Sequence, residues 1–296
     1  FIAYEIEFIS APSLPNGEGN PLSEIAVLVR AGFQTRAFEE RFIAHSIPYK
    51  VVGGLRFYER AEIKDIIAYL RLIKQSSDDL AFERIINTPK RGVGDATFKT
   101  FRDFGRNNGN LSMLDSARAM LQDGILKGKI GSAAENFVNL IDKWRNLPEQ
   151  ITVAEFVETI FKESGYLEML KSEDSLEAEG RIDNIKELLH ALEEFESVET
   201  FLEHVSLVSD IDTLNQDNMV AIMTMHAAKG LEFETVFLPG WEEGLFPSQR
   251  SVDESGTKGL EEERRLAYVG ITRAKKRAYI SYAANRRIYN QFQSSA

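Results

Sequence analysis

The sequence predicts an α/β protein, a parallel-sheet domain split in two by an all-helical insertion. Three observations predict it. Short apolar runs lie toward the two ends of the 296-residue chain, at Ile25–Val29 (IAVLV), Val220–Met223 and Thr235–Leu238. Such runs, without polar alternation, suit strands buried on both faces, as in a parallel sheet. From about residue 76 to 217 the periodicity is helical and strand patterns are almost absent; sheet character returns at Met219. We therefore divide the chain into a first sheet segment, 1–75, a helical insert, 76–217, and a second sheet segment, 218–296.

Phe1–Ile9 carries apolar residues at helical spacing and begins without Met, so it reads as a helix entered partway and the chain as a piece of something longer. Residues 11–24, rich in Pro, Gly and Asn, form a loop. Ile25–Val29, the helical pattern Gln34–His45 and Ile47–Val52 make a strand–helix–strand unit. At roughly 30 residues it has the size of a parallel crossover. Ala61–Ile73 is an amphipathic helix, and Lys74–Asp79 (KQSSDD) marks the change of character. Helical segments follow at Leu80–Ile86, Ala133–Trp144, Val153–Glu163, Gly180–Phe195 and Thr200–Val208, with the acidic run Ser172–Glu179 read as a solvated loop. The last segment reads strand, polar loop, strand through Leu238, then a helix over Leu260–Lys276 and a strand over Ala278–Tyr282.

Composition sets limits on function. Hydrophobic content of 43% and charged content of 27% are those of a globular protein, and Cys is absent, which removes disulfides and thiolate metal sites. No apolar run approaches the roughly 20 residues of a membrane span. The expectation is a cytoplasmic protein. A net charge of −11 spread evenly would disfavour nucleic acid, but residues 149–217 hold four basic and nineteen acidic side chains, and the rest of the chain carries +4. Electrostatic footprints are local, so basic surfaces remain for phosphates.

The chemistry concentrates in the loop between the last two apolar runs. Thr224, His226, Lys229, Gly230 and Glu232 bring a hydroxyl, an imidazole, an ammonium, a flexible glycine and a carboxylate within nine residues. In an α/β sheet such a loop at strand ends is where a site sits. The Leu260–Lys276 helix places acids in its first turn and bases in its last, which the helix dipole alone would favour. That leaves Thr272-Arg273-Ala274 less well explained.

Taken together, HAAKGLEF (226–233) resembles motif V, and EEERRLAYVGITRAKK (261–276) resembles motif VI, of the UvrD/Rep-like superfamily 1A DNA helicases. The stretch 25–73 is similar to the first half of that family's second RecA-like motor domain, 2A. NTPKRGVGDATF (87–98) resembles a duplex-binding element of its inserted domain, 2B. The resemblance covers essentially the whole chain.

It implies a bacterial, nucleoid-associated, ATP-dependent 3′→5′ helicase acting on single-stranded and duplex DNA, with repair proteins as further partners. The family's P-loop and Mg²⁺ carboxylates lie in domain 1A, and G-x-x-x-x-G-K-[ST] is absent here. The chain thus resembles the C-terminal half alone, and domains 1A and 1B of the same polypeptide become its expected partners. The resemblance implies that Arg273 reaches the γ-phosphate of ATP and Glu232 accepts from the ribose, with Lys229 and Gly230 beside the nucleotide. It implies DNA contacts for Arg30, Thr224, His226, Ser248 and Tyr289. Gly32 stands where the family usually has Asn, so one polar contact is missing.

In the insert, Arg84, Lys90, Arg91, Lys99, Arg102 and Arg106 face only Asp95 and Asp103. Gly92-Val93-Gly94 opens a helix whose free N–H groups suit a phosphate. Lys90, Arg91, Gly92 and Gly94 are the expected duplex grip. No residue set suggests a metal site. A stand-alone DNA-binding module, or the motor end of a recombination helicase–nuclease subunit, stays open at this point.

Overall fold

The computed structural model describes residues 1–10, 20–147, 151–210, 218–283, 285–288 and 291–294. The chain forms two compact units, one of Phe1–Glu59 with Ser206–Ala296 and one of Arg60–Val205.

In chain order the first unit begins with α1 (Ile2–Ser10), β1 (Ile25–Val29), α2 (Thr35–Ala44) and β2 (Tyr49–Val51). The second unit holds α3 (Ala61–Lys74), α4 (Asp79–Ile85), α5 (Asp95–Asn107), α6 (Met113–Gln122), α7 (Gly128–Arg145), α8 (Val153–Glu163), α9 (Tyr166–Ser172) and α10 (Leu176–Leu192). After α11 (Val198–Asp210) the first unit resumes with β3 (Val220–Thr224), β4 (Phe233–Pro239), α12 (Gln249–Ser255), α13 (Thr257–Ile271), β5 (Ala274–Ser281) and the antiparallel hairpin β6 (Asn285–Ile288) and β7 (Gln291–Ser294).

The predicted α/β class with a parallel sheet holds. Five strands run parallel in the order β2-β3-β1-β4-β5. β1 is central and buried at every position, which is why it reads as an unbroken apolar run. Its alternate side chains serve two cores. Ile25, Val27 and Val29 face Ile6 and Ile9 of α1 and Phe42 of α2, whereas Ala26 and Leu28 pack with Met225, Ala228, Phe233 and Leu266. The loop after β3 and helix α13 therefore lie together on the second face.

Several boundaries differ from the sequence reading. β1 and β2 are not neighbours, because β3, more than 160 residues later, inserts between them. The helix at 61–74 belongs to the helical unit rather than to the first sheet segment: its buried face, including Ile63, Ile66, Tyr69 and Leu70, packs with α4, α7, α8 and α10. The Ser172–Glu179 run is not one loop. Ser175 caps α10 by accepting from Ala178 N–H at 3.1 Å, and Glu177 and Glu179 sit in the first turn, where the helix dipole favours acids. The last predicted helix stops at Ile271, five residues early, because Ala274 onward pairs with β4 from Phe233. Among the described residues no helix is long and apolar enough to cross a membrane.

Candidate nucleotide and DNA sites

The parallel register separates the motif residues into two groups. Val29 of β1 pairs with Thr224 of β3, so Arg30, Thr224 and His226 gather where these strands end. β4 begins at the opposite edge: Ile25 pairs with Thr235, and Phe233 lies two residues further back. That offset of six residues is about 20 Å at the rise of a parallel strand. Residues 225–232 cross this distance over the second face of the sheet, and α13 runs beside them toward Arg273.

At the β4/β5 edge, Arg273 occupies the tight link between α13 and β5 rather than the last turn of a helix. Its main-chain carbonyl accepts from Phe233 N–H at 2.9 Å. Its guanidinium donates from Nη1 to Leu231 O at 3.0 Å, from Nε to Val269 O at 3.0 Å and from Nη2 to Thr272 Oγ1 at 3.1 Å. Arg273 is thus bonded on both sides of Glu232. The Glu232 and Lys229 side chains are exposed and have no ion-pair partner among the described residues. Gly230, at φ +88°, sits in the left-handed region where a side chain would be strained. The corner offers an unpaired acceptor and a fixed cation, a pairing that fits a nucleotide's ribose and phosphates. Among the described residues no group of three or more Asp, Glu or His could hold a metal ion.

At the other edge, Thr224 Oγ1 accepts from Ala227 N–H at 3.2 Å and starts the crossover turn. The His226 pKa is held below its ordinary value, first by desolvation and then by the charge of Arg30, which favours the neutral, hydrogen-bonding imidazole. Arg30 does not project freely. Its Nε donates to both carboxylate oxygens of Glu263 at 3.1 and 2.9 Å, and its Nη2 donates to Oε1 at 2.7 Å and to Ser251 Oγ at 3.3 Å. Glu263 also accepts from Ser248 N–H at 3.0 Å and from Ser251 Oγ at 3.0 Å. Burial pushes this carboxyl up, but the bonds from Arg30, Ser248 and Ser251 and the charge of Arg30 outweigh it and hold it below the usual carboxylate range.

Sequence reasoning missed Glu263, since one acid in a run of three reads as helix electrostatics. A signal was present: Gly259, Glu263, Leu266 and Gly270 recur at helical spacing and form the buried face of α13. Tyr289 lies outside the described residues.

In the helical unit, Asn87 Oδ1 accepts from Arg91 N–H at 2.7 Å and Val93 N–H at 3.2 Å, which shapes the 87–94 turn. Gly92 takes φ +78°, and Gly94 opens α5 with no side-chain cap. Lys90, Gly92 and Gly94 are exposed. Arg91, expected beside them, points inward instead. Its Nη1 donates to Ile85 O, Ile86 O and Pro89 O at 3.0, 3.1 and 3.3 Å, and its Nη2 donates to Tyr69 Oη and Ser164 O at 3.2 and 2.9 Å. The guanidinium lies 5.3 Å from the Phe137 ring centroid. Arg84 pairs with Asp65 at 2.7 Å and Arg102 with Glu83. Of the six bases, Lys90, Lys99 and Arg106 have no ion-pair partner among the described residues.

Comparison with known proteins agrees with these motifs. The family model described as UvrD-like helicase C-terminal domain matches residues 2–285. The chain is 50% identical over 297 aligned positions to DNA helicase II of Rickettsia typhi, covering 100% of this chain and 44% of that protein. It is 41% identical to DNA helicase II of Escherichia coli K12 (92% of this chain, 39% of that protein). It is 40% identical to ATP-dependent DNA helicase PcrA of Staphylococcus aureus (94% and 39%). The chain spans less than half the length of these relatives, over their C-terminal part. On this match, and on the arrangement of its motif residues, the chain belongs to the UvrD-like helicase C-terminal domain family.

Proposed function

We propose that this chain is the C-terminal motor portion of an ATP-dependent 3′→5′ DNA helicase acting in repair or replication. A P-loop half of the same polypeptide, the 1A and 1B domains, would supply the Mg²⁺ carboxylates. The observation that carries the reading is the corner where Arg273 is hydrogen-bonded on both sides of Glu232, while Arg30, Thr224 and His226 collect at the other sheet edge. ATP would bring the phosphoanhydride whose cleavage drives movement. Arg273 would stabilise the charge on its γ-phosphate, Glu232 would orient the ribose, and Lys229 and Gly230 would line the cleft. Arg30, Thr224, His226, Ser248 and Tyr289 would form the track for single-stranded DNA, and α13 and the 225–232 crossover link that track to the nucleotide corner.

Joined to its P-loop half, the chain should support DNA-stimulated ATP hydrolysis and unwind duplexes bearing a 3′ tail. Alone it should hydrolyse no ATP, because the P-loop lysine and Mg²⁺ carboxylates are absent. Robust turnover by the isolated chain would overturn the division of labour, and unwinding from a 5′ tail would overturn the direction.

The turn at Lys90–Gly94 would hold duplex backbone. With Lys90, Lys99 and Arg106 unpaired, about three phosphates are neutralised, and log K should fall with log salt at a slope of about −3. Lys90→Ala should flatten that slope by about one and weaken all sequences alike. The check is a salt titration against two hairpin duplexes of unrelated sequence. An unchanged slope would move the duplex grip elsewhere.

A further inference from the structure

We propose that Glu263 is a positioning residue for the DNA grip, holding the Arg30 guanidinium and the 248–251 turn in the geometry that meets the strand. The proposal rests on the reading of Arg30 and Ser248 as DNA contacts.

The carboxylate is 3% exposed and the Arg30 side chain 20% exposed. A buried acid is costly to keep unless its charge and lone pairs are all met, and here donors from two separate segments converge on it. The segment after β1 supplies the Arg30 fork, and the turn before and within α12 supplies Ser248 N–H and Ser251 Oγ. Glu263 and Ser251 take one edge of the guanidinium, Nε and Nη2. Among the described residues Nη1 makes no hydrogen bond. A planar fork held on one edge presents its other edge in a fixed direction, the condition for a defined phosphate contact without ordering the side chain on binding. Glu263 Oε2 meanwhile holds the Ser248 main chain and leaves its hydroxyl without a partner among the described residues. One carboxylate thus sets two of the proposed contacts.

The sign of the effect on DNA affinity distinguishes this role from simple electrostatics. Glu263→Gln removes a negative charge from the DNA side, which by field alone would tighten binding. Positioning predicts the reverse, about tenfold weaker affinity, because a neutral amide cannot hold both Nε and Nη2 of Arg30. The salt slope should flatten by about one in Glu263→Gln and in Arg30→Ala, and no further in the double variant, since all three lose the same phosphate contact.

The experiment measures nucleotide-free binding of a labelled short oligothymidylate by the helicase that carries this chain, across a salt series, for wild type and the three variants. Equal or tighter binding by Glu263→Gln, with Arg30→Ala weakened, overturns the positioning role and leaves the DNA reading intact. Unchanged binding by Arg30→Ala shows instead that the DNA reading of Arg30 has failed, and the proposal with it. Full additivity of the two changes also overturns it. If Glu263→Gln does not fold, Ser251→Ala carries the test. It deletes the hydroxyl that donates to Glu263 and accepts from Arg30, and about threefold weaker binding is expected. Affinity at or above wild type overturns the proposal.

Discussion

Under the proposed function, Arg273→Ala in the full-length protein should lower kcat for DNA-stimulated ATP hydrolysis on the order of 10³-fold and change the KM for ATP far less. The asymmetry follows from where the charge appears. A guanidinium aimed at the γ-phosphate acts most strongly on charge that spreads over its oxygens as the bond breaks, so its loss falls on the chemical step. The contacts seen here sharpen the expectation. Nε is held by Val269 O, so the stem of the fork is anchored to the end of α13, whereas Nη1 and Nη2 rest on Leu231 O and Thr272 Oγ1. Those two bonds would be exchanged for phosphate oxygens. They lie at a partly exposed position, so losing them should shift unfolding by about 1 kcal/mol. Arg273→Lys should recover little of kcat, since an ammonium cannot bond Val269 O and present a planar fork together. Steady-state kinetics with melting curves of the same variants make the check. A variant with near wild-type kcat, or one whose whole deficit lies in KM, would remove Arg273 from the transition state.

The parts of the fold legible in the sequence were those whose physics is local. β1, β3 and β4 are buried nearly throughout, so their composition alone announced them. The strand expected at Ala278–Tyr282 is β5, but its start at Ala274 was read as helix, because it is an exposed edge strand, AKKRAYIS, whose first Lys and Arg residues also suit a helix end. Its assignment depends on pairing with β4, some forty residues earlier, which no window along the chain contains. The site divides in the same way. The residues of the 224–232 loop stood out because their types are unusual together. Glu263 and Arg91 did not, because a charged side chain reads as solvated until its partners are known. Arg30 lies 233 residues from Glu263, and Ser164 lies 73 from Arg91. Sequence motifs grouped residues by type, yet only the register revealed that Arg30 and Arg273 belong to opposite edges of one sheet.

Arg91→Ala should destabilise the helical unit strongly while leaving the salt-dependent DNA contacts proposed for it nearly intact. Removing the side chain strands the carbonyls of Ile86, Pro89 and Ser164, leaves Ile85 O with Thr88 N–H and the Tyr69 hydroxyl with Thr88 O, and empties the space beside Phe137. Each buried group left unpaired costs about 1–3 kcal/mol, and neighbouring losses are not additive, so a total of about 3–5 kcal/mol is expected. For a unit of this size that lowers Tm by about 10 °C. Arg91→Lys should recover only part of it. A single ammonium can reach one cluster of carbonyls, but the acceptors here lie on two segments, at 85–89 and at 164, that a planar fork spans. The Lys90→Ala variant gives the contrast: an exposed lysine without an ion-pair partner should leave Tm within about 1 °C, since surface substitutions rarely exceed a few tenths of a kcal/mol. Calorimetry of the three variants, with duplex binding titrated against salt below every transition, separates the two roles. If Arg91→Ala melts like wild type and flattens the salt slope by one, its guanidinium leaves these carbonyls to grip phosphate. The 87–94 turn would then have to be held in shape by Asn87 alone.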